Sequence, residues 1–518
     1  MPRSALAASL AVALLAAPRA GRAQDVAPRL PAERAQYEAL LRAQDARAHA
    51  DADLATLRAG LHASNPMLRR VAVRAVGRLE REALIPDAVA LLADPVDAVR
   101  AAAADAVAQD AAHGGAPAAR AALLARLDAE RDPAVRGALA EAFGRLPQGD
   151  TTQVRATAER LAALAGDGAP AATIYGVARG LFLMTQQPAA RGALPAAAVA
   201  RLGALLTHGL TPASADPNAV AVRELAAGAL AAARAATEPT YATILADPAP
   251  GVRRIAPRGI ALLADTAAAR RIARRALDDR APVVRGLAVT GYARRFAAER
   301  RCSTALAVAH DPDPSTRMDA VDALGIACDD RAPVVALLDS LAGTLPAPRG
   351  DAARDGGAWH LPAHALVSLA AQDPARARAR LGAFVASPAF FVRDYAARAA
   401  ARAADTATLR RLATDPAPNV RTSALAGLET VLAHGADDVY LAALGDADSQ
   451  VLQTAAHALG GSRDPRATDA LLAALDRVTA TRSETSRDAR MALLERVKEL
   501  GAPASAARLR PYLADFDT

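Results

Sequence analysis

One short phrase recurs along this chain of 518 residues and constrains its fold more than any other feature. It reads Asp-Pro-x-Pro-x-Val-Arg and is followed by small and apolar residues at helical spacing, as in the segment that begins at Asp415. Close variants or shortened copies begin at Asn65, Asp94, Asp132, Asp247 and Asp311. Neighbouring clear copies are 28 to 36 residues apart. A period of this length indicates stacked repeats that share one core instead of separate globular domains.

Each copy predicts a helical hairpin. Asp is a good N-cap, and Pro is tolerated in the first helical turn because its missing N–H would be unpaired there. Apolar residues then follow at helical spacing, for example Val420, Ala424 and Leu428. A second apolar run precedes the next copy, which predicts a second, antiparallel helix. Glycines near the ends of the first helices are predicted to form left-handed caps; they are Gly77, Gly144, Gly325 and Gly460.

The phrase resembles the HEAT repeat in its short bacterial, phycobilisome-lyase-like form, with Ala three residues after the Arg and Leu-Gly at the helix end. This resemblance implies an all-α fold, a right-handed α-solenoid of stacked HEAT-type hairpins with an armadillo-type superhelix. We expect the solenoid to occupy residues 51–518 with about twelve repeats, an irregular insertion at 343–357 and a lead-in helix within 24–50. Only 3% of the residues are aromatic, which favours closely packed helices with an Ala- and Leu-rich core.

The N-terminus predicts export from a bacterial cell. Residues 1–23 combine a cationic start, 14 apolar residues from Ser4 to Ala17 and small residues before Gln24, as a cleaved signal peptide does. The apolar stretch is short for a permanent membrane span, so we expect no stable membrane anchor. Removing residues 1–23 lowers the formal net charge from +7 to +4, which does not suggest nucleic-acid binding. The predicted location is periplasmic or extracellular.

The arginine that ends each phrase has a structural interpretation. It stands at a fixed place in the first helix and close to an Asp, so stacked copies would form a ladder of Arg and Asp pairs. The alternative is a basic stripe for an anionic ligand. The predicted ladder residues are Arg69, Arg100, Arg136, Arg253, Arg285, Arg317, Arg393 and Arg421.

Few residues suggest chemistry. His360 and His364 are four residues apart, as helical metal ligands often are, but Pro362 lies between them and no third ligand is evident. We therefore predict no metal, no cofactor and no catalytic residue. Cys302 and Cys328 are the only cysteines, and in an oxidising compartment they either form a disulfide or remain buried thiols.

The scarce aromatic residues concentrate in one region. Trp359 and His360 follow the insertion, and Phe390, Phe391 and Tyr395 come one repeat later. These side chains form either a binding patch or the larger fillers of an otherwise Ala-lined core.

The leading functional hypothesis is a secreted, non-catalytic scaffold that binds a protein partner through its helical surface. One alternative comes from a resemblance to exported bacterial proteins whose HEAT part continues into a cyclophilin-type peptidyl-prolyl isomerase domain, which would make this chain the N-terminal portion of such an enzyme. The repeat's family also includes tetrapyrrole lyases, a third hypothesis. The last residues, Asp515 to Thr518, look like the start of another copy, so we expect a longer gene product or an end that docks on a partner or on a second copy of the chain.

Overall fold

The computed structural model of the protein describes residues 31–45, 51–210, 216–346, 357–501 and 505–514. Every regular element in these ranges is helical, and no strand occurs among them. The predicted signal peptide, most of the predicted insertion and the last four residues lie outside the described residues. None of the described helices is long and apolar enough to cross a membrane.

The described chain divides into two compact units, and the boundary between Ile272 and Ala273 falls within helix α15. The helices up to this boundary are α1 Pro31–Asp45, α2 Asp51–Leu61, α3 Pro66–Gly77, α4 Ile85–Ala90, α5 Asp97–Asp110, α6 Ala116–Ala129, α7 Pro133–Arg145, α8 Thr151–Leu164, α9 Ala171–Thr185, α10 Ala196–Leu205, α11 Ala219–Ala232, α12 Glu238–Leu245, α13 Pro250–Arg253, α14 Ala256–Leu262 and α15 Thr266–Leu277.

The second unit continues with α16 Pro282–Arg295, α17 Ser303–Val308, α18 Pro314–Ala323, α19 Arg331–Ala342, α20 His360–Gln372, α21 Pro374–Val385, α22 Phe390–Arg402, α23 Thr406–Leu412, α24 Pro418–Leu432, α25 Asp437–Ala443, α26 Ser449–Ala458, α27 Ala467–Ala480, α28 Arg487–Leu500 and α29 Ser505–Leu509. Short 3-10 turns connect several of these helices.

Each unit is built of two layers of helices, and this confirms the predicted all-α solenoid of helical hairpins. In the first unit α3, α5, α7, α9 and α11 contact one another in sequence, and in the second unit α16, α18, α20, α22, α24, α26 and α28 do the same. We call these helices the first layer. The intervening helices form the second layer. The core between the layers consists mainly of buried Ala, Val and Leu, such as Val420, Ala424 and Leu428.

The aspartate of the phrase caps its helix only in some copies. Asp132 accepts hydrogen bonds from the N–H groups of Ala134 and Val135 and is the N-cap of α7, as predicted. In a full-length copy the helix starts two residues later: Asp415 accepts from the N–H of Ala417, and α24 begins at Pro418. The prediction of an N-cap was therefore wrong for Asp415, whose carboxylate orders the turn before the helix instead.

The glycines at the ends of the first helices are not left-handed caps, so that prediction was also wrong. Gly77, Gly144, Gly325 and Gly460 all lack a positive φ, whereas Gly461, one residue beyond Gly460, has a φ of +76°. A Cβ atom at Gly77 would lie only 2.5 Å from the Cα of Ala106 on α5, in the next repeat. The absence of a side chain at Gly77 therefore permits close packing of neighbouring helices.

The closest approach of this kind joins α7 and α9. A Cβ atom at Gly176 would overlap the backbone carbonyl of Gly137, and one at Gly180 would overlap that of Ala140. The two glycines of α9 are four residues apart and so lie on the same side of the helix. The backbones of α7 and α9 therefore meet directly, without side chains between them.

We predict that Gly176→Ala lowers the free energy of unfolding by about 3 kcal/mol, because α9 must move away from α7 to make room for the methyl group. The matched control is Gly203→Ala in α10, where nothing lies within 4 Å of the added Cβ atom. This change should stabilise the chain by about 0.5 to 1 kcal/mol through helix propensity. Urea denaturation followed by circular dichroism measures both. Equal effects of the two substitutions would contradict the packing role of Gly176.

One buried carboxyl group in the first unit has no compensating charge among the described residues. Asp110, the last residue of α5, is fully buried, and its Oδ1 accepts a hydrogen bond of 3.2 Å from the N–H of Arg81. Its Oδ2 finds no hydrogen-bond partner among the described residues. Burial raises the pKa of Asp110 to about 7, and the nearby Asp87 and Glu80 raise it further against the effect of that hydrogen bond.

We predict that Asp110 makes the protein less stable as the pH rises. An unfolded Asp has a pKa of about 3.9, so between about pH 4 and 7 the folded chain binds more protons than the unfolded one and stability falls with pH. Asp110→Asn should remove this component and stabilise the chain by about 2 kcal/mol at pH 8, with little effect at pH 4. Urea denaturation at both pH values measures it, with the fully exposed Asp167→Asn as control. An unchanged pH dependence in Asp110→Asn would disprove the assignment.

Candidate functional site

The recurring arginines lie at the contacts between successive repeats. Arg421 donates from Nε and Nη2 to the two carboxylate oxygens of Asp446, at 2.7 and 2.8 Å, and from Nη1 to the carbonyl oxygen of Asp415 in its own turn, at 2.8 Å. We call such an arrangement a rung. Two-pronged rungs of this kind also join Arg69 to Asp94, Arg100 to Glu130, Arg223 to Asp247, Arg285 to Asp311 and Arg393 to Asp415.

The acid of each rung is held as firmly as the arginine. Glu130 accepts from Arg100 and Arg126 and also from the N–H of Asp132. Although burial opposes the effect, the hydrogen bonds from Arg100 and Arg126 lower the pKa of Glu130 to about 2. A guanidinium that is engaged on two sides in this way has few donors left for a ligand.

Three of the predicted ladder arginines have different surroundings. Arg136 and Arg253 donate to carbonyl oxygens of their own turns, those of Glu130 and Asp247, at 3.0 and 2.9 Å. The Nε of Arg317 is buried and finds no hydrogen-bond partner among the described residues. The other rungs join an arginine to an acid 22 to 30 residues later, which for Arg317 corresponds to residues 339–347. The acid of that stretch, Asp339, accepts from Arg380 instead, at 2.8 Å.

Cys302 and Cys328 are joined by a disulfide with a Cα–Cα distance of 5.7 Å. Cys302 precedes α17 and Cys328 follows α18, so the bond closes the hairpin around α18. Gln372, from the end of α20, donates to the carbonyl oxygen of Leu324 at 2.6 Å and to the sulfur of Cys328 at 3.3 Å. The disulfide and this buried amide fix the C-terminal end of α18.

The aromatic residues singled out in the sequence are in contact with one another. The Trp359 ring lies 4.4 Å from that of Phe391 and 5.8 Å from that of Tyr395, measured between centroids. It also stacks on His360 at 3.7 Å, and Phe390 packs edge-on against Phe391 at 5.5 Å. Together with His364, these side chains form what we call the aromatic cluster, on the first-layer helices α20 and α22.

The cluster is only partly buried. Phe390 is 44% exposed, whereas Trp359, Phe391 and Tyr395 are half-buried. The sequence left two alternatives open, a binding patch or core fillers. Trp359, Phe391 and Tyr395 pack on the hydrophobic core of the second unit, and Phe390 extends the cluster to its surface.

A chain of hydrogen bonds extends the cluster across the three neighbouring helices α18, α20 and α22. Nδ1 of His364 is 2.7 Å from Oδ1 of Asp322 on α18, and Nε2 is 2.7 Å from the hydroxyl oxygen of Tyr395 on α22. An ionised carboxylate only accepts hydrogen bonds, so His364 donates its Nδ1–H to Asp322. In the tautomer that carries its proton on Nδ1 alone, Nε2 accepts the hydrogen bond of the Tyr395 hydroxyl.

The order carboxylate, imidazole, hydroxyl is that of a nucleophilic triad, but the electrostatics do not favour a nucleophile. Burial raises the pKa of Tyr395, and the negative charges of Asp322 and Asp394 act in the same direction, although Arg398 opposes them. The guanidinium of Arg398 lies 4.9 Å from the centre of the Tyr395 ring. A phenol that keeps its proton suits a hydrogen-bonded binding surface better than covalent catalysis.

Sequence reasoning singled out Tyr395 but missed its connection to His364 and Asp322. Each first-layer helix of this region carries a pair of small or apolar residues at one place in the repeat, namely Ala320-Val321, Ala365-Leu366 and Ala396-Ala397. The residues directly before these pairs are Asp319, His364 and Tyr395, so they occupy equivalent positions in adjacent repeats. Aligning the degenerate copy at α20 by this pair would have predicted the contact of His364 with Tyr395.

The two histidines do not converge on a common point. His360 Nδ1 is 2.8 Å from the carbonyl oxygen of Gly357, whereas His364 is held between Asp322 and Tyr395. The part of the chain that the structure describes holds no group of three or more His, Cys, Asp or Glu that could bind a metal ion.

The first unit contains an open groove of about 580 Å³ lined by Glu80, Arg145, Leu183 and Gln187, among others. Arg145 is its main cationic group and is neutralised by Asp105 at 2.5 Å and Glu141 at 3.0 Å. The groove offers no concentrated charge or aromatic surface, so the aromatic cluster is the better candidate site.

We predict that His364 and Tyr395 are energetically coupled. Tyr395→Phe removes the hydroxyl and His364→Ala removes its acceptor, so the double variant should lose about 1 kcal/mol less than the sum of the two single variants. The free energies of unfolding from urea denaturation measure this coupling. Tyr395→Phe combined with the distant His434→Ala is the control and should be additive. Additive behaviour of His364→Ala and Tyr395→Phe would mean that the hydrogen bond contributes nothing.

Comparisons with known proteins agree with the fold. A family model described as HEAT repeats matches residues 54–144. The chain is similar to a solved structure of importin beta, with a TM-score of 0.55, 13% identity and coverage of 93% of this chain and 74% of importin beta. A structure of Kap95p with RanGDP matches with a TM-score of 0.51, 13% identity and coverage of 94% and 73%.

The YibA protein of Escherichia coli matches with 19% identity over 51% of this chain and 90% of its own, with a TM-score of 0.34. No curated protein sequence matches the chain. At these identities the likeness to importin beta and Kap95p concerns the fold alone. Stacked two-layer hairpins, the repeated rung and the match of residues 54–144 to the HEAT-repeat model lead to one conclusion: the described chain is an α-solenoid of HEAT-type repeats.

Proposed function

We propose that this chain is an exported, non-catalytic scaffold that binds a protein partner through the aromatic cluster of its second unit. The observation that carries the proposal is the exposure of rings in a chain that has only 15 aromatic residues among 518. Four of the 15 meet in the cluster, and Phe390 is 44% exposed. Aromatic side chains are enriched at the centres of protein interfaces.

The hydrogen bonds of the cluster support a binding role. Tyr395 and His364 are fixed by each other and by Asp322, and Trp359 is fixed between His360 and Phe391. A partner that binds rings held in place loses less conformational entropy than one that must order them. The rigid repeat scaffold therefore supports a surface that is ready for binding.

Export is supported by the composition of residues 1–23 and by the cysteine pair. A buried disulfide is stable in an oxidising compartment and uncommon in the cytosol. The resemblance to HEAT proteins that continue into a cyclophilin-type isomerase stays a prediction, and no described residue is assigned to that activity.

We predict that a photo-crosslinking amino acid at Phe390 captures a protein partner in the periplasmic fraction of intact cells. The matched control is the same amino acid at Met491, an apolar residue of α28 in the same unit that is 51% exposed. A defined adduct should form from position 390 and be absent from position 491, and Trp359→Ala should reduce it. Retention of the chain in the cytoplasm would refute export, and identical adducts from both positions would refute the cluster as the binding site.

A further inference from the structure

One face of the first layer in the second unit has an acidic end and an apolar end. The acidic end is formed by Asp319 and Asp322 on α18, both exposed, and the apolar end is Phe390 on α22. His364 and Tyr395 connect Asp322 to the Trp359 ring, and Phe391 connects that ring to Phe390. We call this continuous surface the docking row.

The acidic end is short of positive charge in comparison with the rest of the first layer. Asp105 and Glu141 are matched by Arg145, and Asp394 is matched by Arg398 at 2.8 Å. Asp322 pairs only with His364, and Asp319 forms no ion pair with any described residue.

The carboxylates of α18 repel each other. Asp319 is exposed only in part, since its Oδ2 lies against Gly286 of α16. This partial burial raises the pKa of Asp319, and the charge of Asp322 raises it further, while His364 acts in the opposite direction. The two groups are three residues apart on one helix face and so share the same environment. A cation placed beside them would relieve this repulsion, and the docking row therefore has a place for one positive charge.

The cation cannot be supplied by Arg398. Its guanidinium is held 2.8 Å from Asp394 and lies over the Tyr395 ring, at the other end of the row of hydrogen bonds. The positive charge that fits the acidic end must then come from a binding partner.

We propose that the docking row binds an extended segment of a partner protein that places a Lys or Arg side chain at Asp319 and Asp322 and an apolar side chain on Phe390. This inference rests on the proposed scaffold function and specifies its partner. The row runs from α18 to α22 and so crosses two spacings between neighbouring helices. At about 8 to 10 Å for each spacing, its length is about 16 to 20 Å. An extended chain rises about 3.3 Å per residue, so the basic and apolar residues of the segment should be about six positions apart.

The test uses synthetic 12-residue peptides of Gly and Ser that carry one Arg and one Leu six positions apart, with binding to the full chain measured by fluorescence anisotropy. Comparison peptides replace the Arg by Glu, replace the Leu by Ala, or bring the two residues within two positions of each other. We expect the Arg and Leu peptide of the longer spacing to bind most tightly, and its binding to weaken with added salt.

The variants locate the binding on the chain. Asp319→Asn combined with Asp322→Asn, and separately Phe390→Ala, should each weaken binding by about tenfold. Asp469→Asn and Met491→Ala remove an exposed carboxylate and an exposed apolar side chain elsewhere in the unit and should leave binding unchanged. Circular dichroism checks that the variants are folded, and because these side chains are exposed we expect them to be.

Three outcomes would overturn the proposal: equal binding of the Glu peptide, no effect of the two Asp→Asn changes, or no binding of any peptide at about 1 mM. The scaffold function fails separately. If the crosslinked partner of Phe390 binds through Trp359 but is insensitive to Asp319→Asn and Asp322→Asn, the scaffold proposal stands and the basic segment is excluded.

Discussion

The bidentate pairing of a first-layer arginine with a carboxylate of the next repeat is the interaction on which the rest of the structure depends. Arg421 binds the turn of its own copy and Asp446 of the following one, so a single side chain sets both the turn and the distance between successive repeats. A lysine could not replace it, because an ammonium group lacks the planar fork that binds two oxygens in parallel. Lys498 is accordingly the only lysine in the chain, and it lies outside the ladder.

The hairpins and their stacking were predictable because they depend on local sequence. Helical spacing and repeated turn residues fix each hairpin, and a hairpin cannot bury its apolar face alone. The functions of Gly77 and Gly144 were not predictable in the same way. Near the end of a helix a glycine is equally suited to a left-handed cap and to close packing, and only the position of the neighbouring helix decides between them.

The candidate site was predictable in part for the same reason. The scarcity of rings in the sequence indicates Trp359, Phe391 and Tyr395 as candidates. The role of His364 depends on which residues of adjacent repeats are aligned. The copy at α20 is degenerate and has Pro362 where the other copies have the arginine, which obscured the alignment.

At the contact of α7 with α9, the backbones of the two helices face each other directly. Where side chains fill the space between two helices, a sequence can change in steps, with a larger residue on one helix offset by a smaller one on the other. At Gly176 and Gly180 the opposing surface is a peptide group, which no substitution can shrink. We expect natural variants to retain glycine at these two positions while the Ala, Val and Leu of the neighbouring repeats exchange freely with one another.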